Sequence, residues 1–108
     1  MFETGKEYSR EDVRQVTGGS KHAFLPVKGG KVVAARLRPG LNPHAPEVIL
    51  CDGSASSRAA GRTLARQIEA VPVFVRTSSD RFRYVGEYVT NSSFTLAQIS
   101  RVIRMRRK

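Results

Sequence analysis

The stretch RFRYVGEYVT, residues 81–90, alternates without a break: Phe82, Tyr84, Gly86 and Tyr88 fall on one parity, and Arg81, Arg83, Val85, Glu87 and Val89 on the other. A period of two belongs to a β-strand whose faces see different surroundings. The chain therefore needs a sheet with one covered face. The aromatic face has two readings. Either it is core, or Tyr84 and Tyr88 flank Gly86 and leave a floor on which something flat can stack. Phe82 fits core. The tyrosines fit either, because a buried hydroxyl needs a partner.

Shorter elements surround this strand. Ser9 followed by Asp12 imitates a capping box, with Tyr8 and Val13 as its apolar staple. This predicts a helix over residues 9–17 that Gly18-Gly19 stop, with Val13 and Val16 on its inner face. Residues 23–27 and 32–38 read as a hairpin around Lys28-Gly29-Gly30-Lys31. On the return strand Val33, Ala35 and Leu37 would share one face, and Arg36 and Arg38 the other. Pro39, Pro43 and Pro46 predict a loop, and residues 47–51 a short strand. Ala60, Leu64, Ile68 and Val71 keep helical spacing and predict a helix over residues 57–70 that Pro72 ends. Residues 73–76 pair with 81–90 as a second hairpin. Towards the C-terminus the pattern favours one helical turn near residues 95–98 and then a strand to about 106. The sum is one α+β domain over residues 1–108, a small, strongly curved sheet or barrel with two short helices.

Charge narrows the function. The 108 residues hold 19 basic and 9 acidic side chains, a net charge of +10. The excess is concentrated in residues 58–108, with 11 basic and 3 acidic side chains. Such a domain repels itself unless its partner is anionic. Fourteen of the cations are arginine, which suits bidentate contacts to phosphate and base edges. Catalytic patterns are missing. Cys51 is the single cysteine, so no internal disulfide and no cysteine-rich zinc site can form. His22 and His44 lie in different loops without metal-binding spacing, and no nucleophile elbow, P-loop or dinucleotide fingerprint occurs. No apolar run is long enough to span a membrane, and the N-terminus lacks a signal-peptide pattern. The expectation is a non-enzymatic cytoplasmic protein that needs no cofactor or metal, binds nucleic acid and has no membrane partner.

Two basic features carry this expectation. Gly53-Ser54-Ala55-Ser56-Ser57-Arg58 leads small hydroxyl residues into a helix. Free amides and a positive dipole end would meet there, so Ser56 and Ser57 are either ordinary caps or a phosphate seat. Arg58, Arg62 and Arg66 then stand at i, i+4 and i+8, a stripe that is either a solvated face or a phosphate track. The basic tail with Arg104, Arg106 and Arg107 would hold the backbone as well.

Two further stretches carry a resemblance. The opening Phe2-Glu3-Thr4-Gly5-Lys6-Glu7-Tyr8-Ser9-Arg10-Glu11-Asp12-Val13 resembles the start of SRA/YDG-type and related PUA-like domains. Val71-Pro72-Val73-Phe74-Val75-Arg76 and Tyr84-Val85-Gly86-Glu87-Tyr88 are similar to a strand pair with a Y-x-G element in prokaryotic relatives, which are often attached to restriction nucleases. The resemblance implies a small β-barrel that flips a modified base into an aromatic pocket. Tyr8 and Arg10 would match the opening motif, and Tyr84, Gly86 and Tyr88 the later one. The Tyr-Asp-Gly signature is absent; Cys51-Asp52-Gly53 is the nearest stretch. On this reading Tyr84 and Tyr88, with Tyr8, sandwich the base, and Arg10, Asn42 or Asp52 reads its edge. DNA is favoured over RNA, with a separate nuclease or methyltransferase as a further partner. The alternatives are an RNA-binding PUA/ASCH-like module and a basic accessory or antitoxin subunit for an acidic protein.

Overall fold

A computed structural model describes residues 2–51, 54–91 and 102–108. In chain order its elements are β1 (Glu7–Tyr8), α1 (Arg10–Thr17), β2 (Val27–Lys28), β3 (Lys31–Val32), β4 (Ala35–Leu37), β5 (Val48–Leu50), α2 (Ala55–Arg66), β6 (Val71–Ser78), β7 (Arg81–Thr90) and β8 (Val102–Arg107). The alternating stretch, β7, is the spine. One edge pairs antiparallel with β6. The other edge is shared: β1 takes Phe82 and Arg83, and β8 takes Tyr88 to Thr90. Strand β4 joins β6 in parallel and β5 joins β8, giving the order β4-β6-β7-β8-β5. Strands β4 and β5 do not pair with each other among the described residues, so that path is open.

The core has two parts. The larger gathers Leu37, Ile49, Leu64, Val73, Tyr88 and Ile103 from β4, β5, α2, β6, β7 and β8. The smaller holds Val13, Ala34, Phe74, Phe82 and Tyr84, with Phe2 and Tyr8 packed against it. Helix α1 has the anticipated capping box: Asp12 N donates to Ser9 Oγ and Ser9 N to Asp12 Oδ2. Val13 is its buried residue; Val16 is exposed.

The first hairpin is shorter than its sequence suggests. Gly29 and Gly30 have φ of 62° and 79°, as a two-residue hairpin turn of the primed type requires. Only two residues pair on each side. The chain then leaves the hairpin, and β4 pairs with β6. The segment before the hairpin covers β4's other edge, with Arg36 N donating to Phe24 O at 2.8 Å. With both edges occupied, all three β4 residues are buried. Arg36, expected on an outer face with Arg38, is only 3% exposed.

Helix α2 also differs. It begins earlier, with Ser54 rather than Ser56 or Ser57 as N-cap, and ends at Arg66. Gln67 is extended, and its carboxamide serves the backbone of Val32: Val32 N donates to Oε1 at 2.9 Å and Nε2 donates to Val32 O at 3.0 Å. That pairing takes the chain out of the helix before Ile68, which is 88% exposed, while Val71 and Pro72 enter β6. The helical turn expected at residues 95–98 lies outside the described residues. The strand after it is present, so Arg104, Arg106 and Arg107 belong to β8 rather than to a tail. No helix among the described residues is long and apolar enough to cross a membrane.

Candidate nucleic-acid site

A cavity of about 640 Å³ opens where α2 begins. Arg36 and Arg38, at and just beyond β4, the cap and first turn of α2, and Arg10 of α1 supply its polar wall. Phe24, Leu25, Leu50, Ala60 and Phe82 supply the apolar wall. The seating of α2 fixes this geometry. Gly61 lies so close to the strand side that an added Cβ would be 2.7 Å from Cys51 Cβ and 2.8 Å from its Sγ. Thr90 Oγ1 donates to Leu64 O at 2.7 Å and ties the helix to β7. At the free end, Ser54 Oγ accepts from Ser57 N at 3.2 Å. The amides of Ala55 and Ser56 come first in the helix, where no intrahelical acceptor exists.

Arg36 is the unusual group. Its Nη2 donates to the carbonyls of Ser20 (3.0 Å), Lys21 (2.7 Å) and Ala23. Its Nη1 is buried without a hydrogen-bond partner, the one such side-chain atom among the described residues. No salt bridge to Arg36 occurs among them either. Burial makes its proton easier to lose, the charge of Arg10 adds to this, and Asp80 opposes it. Arg10 lies 5.1 Å over the Phe82 ring, and its Nη1 donates to Asp80 Oδ1 at 3.1 Å. Its backbone amide uses the same oxygen, and these contacts hold the Asp80 carboxyl below its usual range.

The structure brings four of the sequence-selected residues to this cavity: Arg10, Asn42, Ser56 and Ser57. Asn42 is buried, with Oδ1 accepting from Leu50 N at 2.8 Å, which leaves its NH2 end as a donor. Asp52 lies outside the described residues. The aromatic group is elsewhere. Tyr84 and Tyr88 are 7% and 5% exposed and belong to different halves of the core. Tyr8 meets Phe2 at 5.0 Å between ring centroids, and its hydroxyl accepts from Glu3 N. Gly86 leaves no open floor, since a Cβ there would meet the Arg107 guanidinium at 3.2–3.3 Å. The Tyr84 hydroxyl donates to Glu87 Oε2 at 3.0 Å; burial first and this bond second push its pKa up to about 12. The three tyrosines therefore act as packing groups here.

Among the basic candidates, Arg62 and Arg66 are exposed on α2 and make no salt bridge among the described residues. Arg58 stands one turn nearer the cavity and is half-buried. Arg104, Arg106 and Arg107 are exposed on β8. Arg36 and Phe24 were not anticipated as site residues. The available signal was Arg36's place in the apolar run Val32-Val33-Ala34-Ala35-Arg36-Leu37, where a guanidinium cannot reach water without a special path. The described residues contain no group of three or more His, Cys, Asp or Glu that could hold a metal ion.

Fold and site together define a small α+β domain with an arginine-lined cavity at a helix N-terminus. Comparison with protein-family models, curated proteins and solved structures finds no match.

Proposed function

We propose that the chain is a non-catalytic nucleic-acid-binding domain, with DNA as the preferred partner, that reads an extruded, modified base in the Arg36 cavity. The observation that carries this reading is the meeting of Arg10, Arg36, Arg38 and the α2 N-terminus around one concave site with Phe24 and Phe82 in its apolar wall. Its volume of about 640 Å³ falls within the usual range of small-ligand sites. Guanidinium and amide donors suit the carbonyl and ring-nitrogen acceptors of a base edge. Extrusion costs a few kcal/mol, so a base that is easier to unstack or better held once out is preferred. Arg62 and Arg66, one and two turns beyond Arg58, would track the backbone leading to the cavity. The sandwiching role thus leaves Tyr84 and Tyr88, while edge reading stays with Arg10 and Asn42 and gains Arg36. A PUA/SRA-like relationship, with a separate nuclease or methyltransferase as partner and a cytoplasmic setting, belongs to the same proposal.

Fluorescence anisotropy tests it on oligonucleotides carrying unmodified, methylated or hydroxymethylated cytosine, or methylated adenine. At least one modified duplex should bind about tenfold tighter than its unmodified counterpart, a difference of about 1.4 kcal/mol. Equal affinity for every base, in duplex and single strand, removes the reader. Tighter binding to structured RNA than to any DNA replaces it with an RNA-binding module. Salt-insensitive binding to an acidic protein replaces it with an accessory subunit.

A further inference from the structure

We propose that Asn42 selects the base: its side-chain NH2 binds an oxo oxygen, so the cavity takes bases that carry an oxo group and turns adenine away. The inference rests on the placing of a base in the cavity, as read above, and names the class of base taken. Asn42 is 5% exposed and lines the cavity together with Leu41 and Leu50. Hydrogen bonds pin it. Its backbone amide donates to Arg38 O at 2.8 Å, its carbonyl accepts from Ala45 N at 3.0 Å, and Oδ1 accepts from Leu50 N at 2.8 Å. The last bond also fixes which end is which, since a turned carboxamide would set its NH2 against the Leu50 N–H. Nδ2 is left without a hydrogen bond among the described residues. Unlike Arg36 Nη1, it is not sealed from solvent. Asn42 is otherwise covered and borders the cavity, so the opening at Nδ2 is the cavity. A donor held this firmly and left unmade is costly, and an acceptor on the ligand completes it.

The free end of Asn42 can only donate. Asparagine ordinarily recognises adenine with both ends, the oxygen accepting from N6 and the NH2 donating to N7. Here the oxygen is held by Leu50 of β5, so that pairing is closed. Arg10, Arg36 and Arg38, in the same wall, are donors only as well. The base edge that suits such a wall presents acceptors. Guanine offers O6 and N7, cytosine O2 and N3, and thymine O2 or O4. Adenine is the one common base without an oxo oxygen, and its amino group would bring a donor to donors. Of the modified bases above, the cytosine derivatives should therefore bind more tightly than methylated adenine.

The test is fluorescence anisotropy on duplexes of one sequence in which a single position, set opposite an abasic site, carries adenine or hypoxanthine. The two purines have the same size, hypoxanthine has an oxo oxygen where adenine has an amino group, and the abasic partner removes any difference in pairing. Hypoxanthine should bind about tenfold tighter, a difference of about 1.4 kcal/mol. Asn42→Asp keeps an oxygen for Leu50 N, puts an acceptor where Nδ2 stood, and should abolish that preference. In the unaltered chain, the Asn42 side-chain NH2 resonances should shift when the hypoxanthine duplex binds, a readout that needs no variant to fold. Equal affinity for the two purines, a preference kept by folded Asn42→Asp, or unmoved Asn42 NH2 resonances would each overturn the proposal. Discrimination among modified bases with equal affinity for the two purines defeats the oxo selection alone. A hypoxanthine preference without discrimination among modified bases defeats the modified-base reading alone, and no binding to any duplex defeats both.

Discussion

Gly61→Ala separates helix propensity from packing. In an exposed helix interior, alanine is more stable than glycine by roughly 0.5–1 kcal/mol. Gly61 is buried, and the new Cβ would stand 2.7 Å from Cys51 Cβ and 2.8 Å from Cys51 Sγ. Cys51 is fully buried, and one of the two close atoms is its Cβ, which cannot be moved by side-chain rotation. Overpacking of this kind costs typically ~1–3 kcal/mol. The net expectation is a loss of about 1–2 kcal/mol, with Tm falling by roughly 4–8 °C per kcal/mol in a domain of this size. Circular dichroism melts supply the readout. Gly40→Ala is the control, since its Cβ would meet nothing within 4 Å. Cys51→Ala in the Gly61→Ala background removes the sulfur contact but leaves the Cβ contact, so it should restore part of the overpacking cost. A rise in Tm for Gly61→Ala would refute the close seating of α2, and with it the placement of the helix N-terminus at the cavity.

Gln67→Ala removes both hydrogen bonds to the Val32 backbone and should cost about 2 kcal/mol in urea unfolding, at about 1 kcal/mol per bond; a loss below ~0.5 kcal/mol contradicts the clamp. For Tyr84, the folded pKa of about 12 stands above the ordinary tyrosine value of 10.0, so its share of stability is intact below pH 10 and disappears as pH rises towards 12. Tyr84→Phe should flatten that part of the alkaline stability profile, and an unchanged profile would argue against the buried, Glu87-bonded phenol. Arg62→Ala with Arg66→Ala should make the salt dependence of duplex binding shallower by about 2 in log–log slope, at roughly 0.9 per lost phosphate contact.

The two-residue period of 81–90 and the capping box at Ser9 were legible because both are local: one strand's alternation and one helix's first turn settle them. The fate of residues 67–72 was not. Ala60, Leu64, Ile68 and Val71 do fit a helix, yet Gln67 gains two backbone bonds to a strand more than thirty residues away, and that long-range pairing wins. Arg36 was misplaced for a related reason. Alternation predicts opposite faces, but it cannot say that the segment around Phe24 covers β4's free edge. The start of α2 was visible to within a few residues because helix N-termini announce themselves by small hydroxyl residues, although the cap is Ser54 rather than Ser56 or Ser57. The aromatic platform was read from parity alone. Parity placed Tyr84, Gly86 and Tyr88 on one face, but only the fold supplies what lies against that face, including Arg107 across the sheet.

On the proposed reading, nucleic acid enters the Arg36 cavity rather than the Tyr84 and Tyr88 face. Heteronuclear NMR of the labelled chain, titrated with the tightest-binding oligonucleotide, tests it directly. The largest shifts are expected at the Ser56 and Ser57 amides and at the Arg36 side-chain Nε, with little change at Tyr84, Gly86 and Tyr88. Shifts centred on Gly86 and the two tyrosines, with Arg36 and Ser56 unmoved, would contradict it.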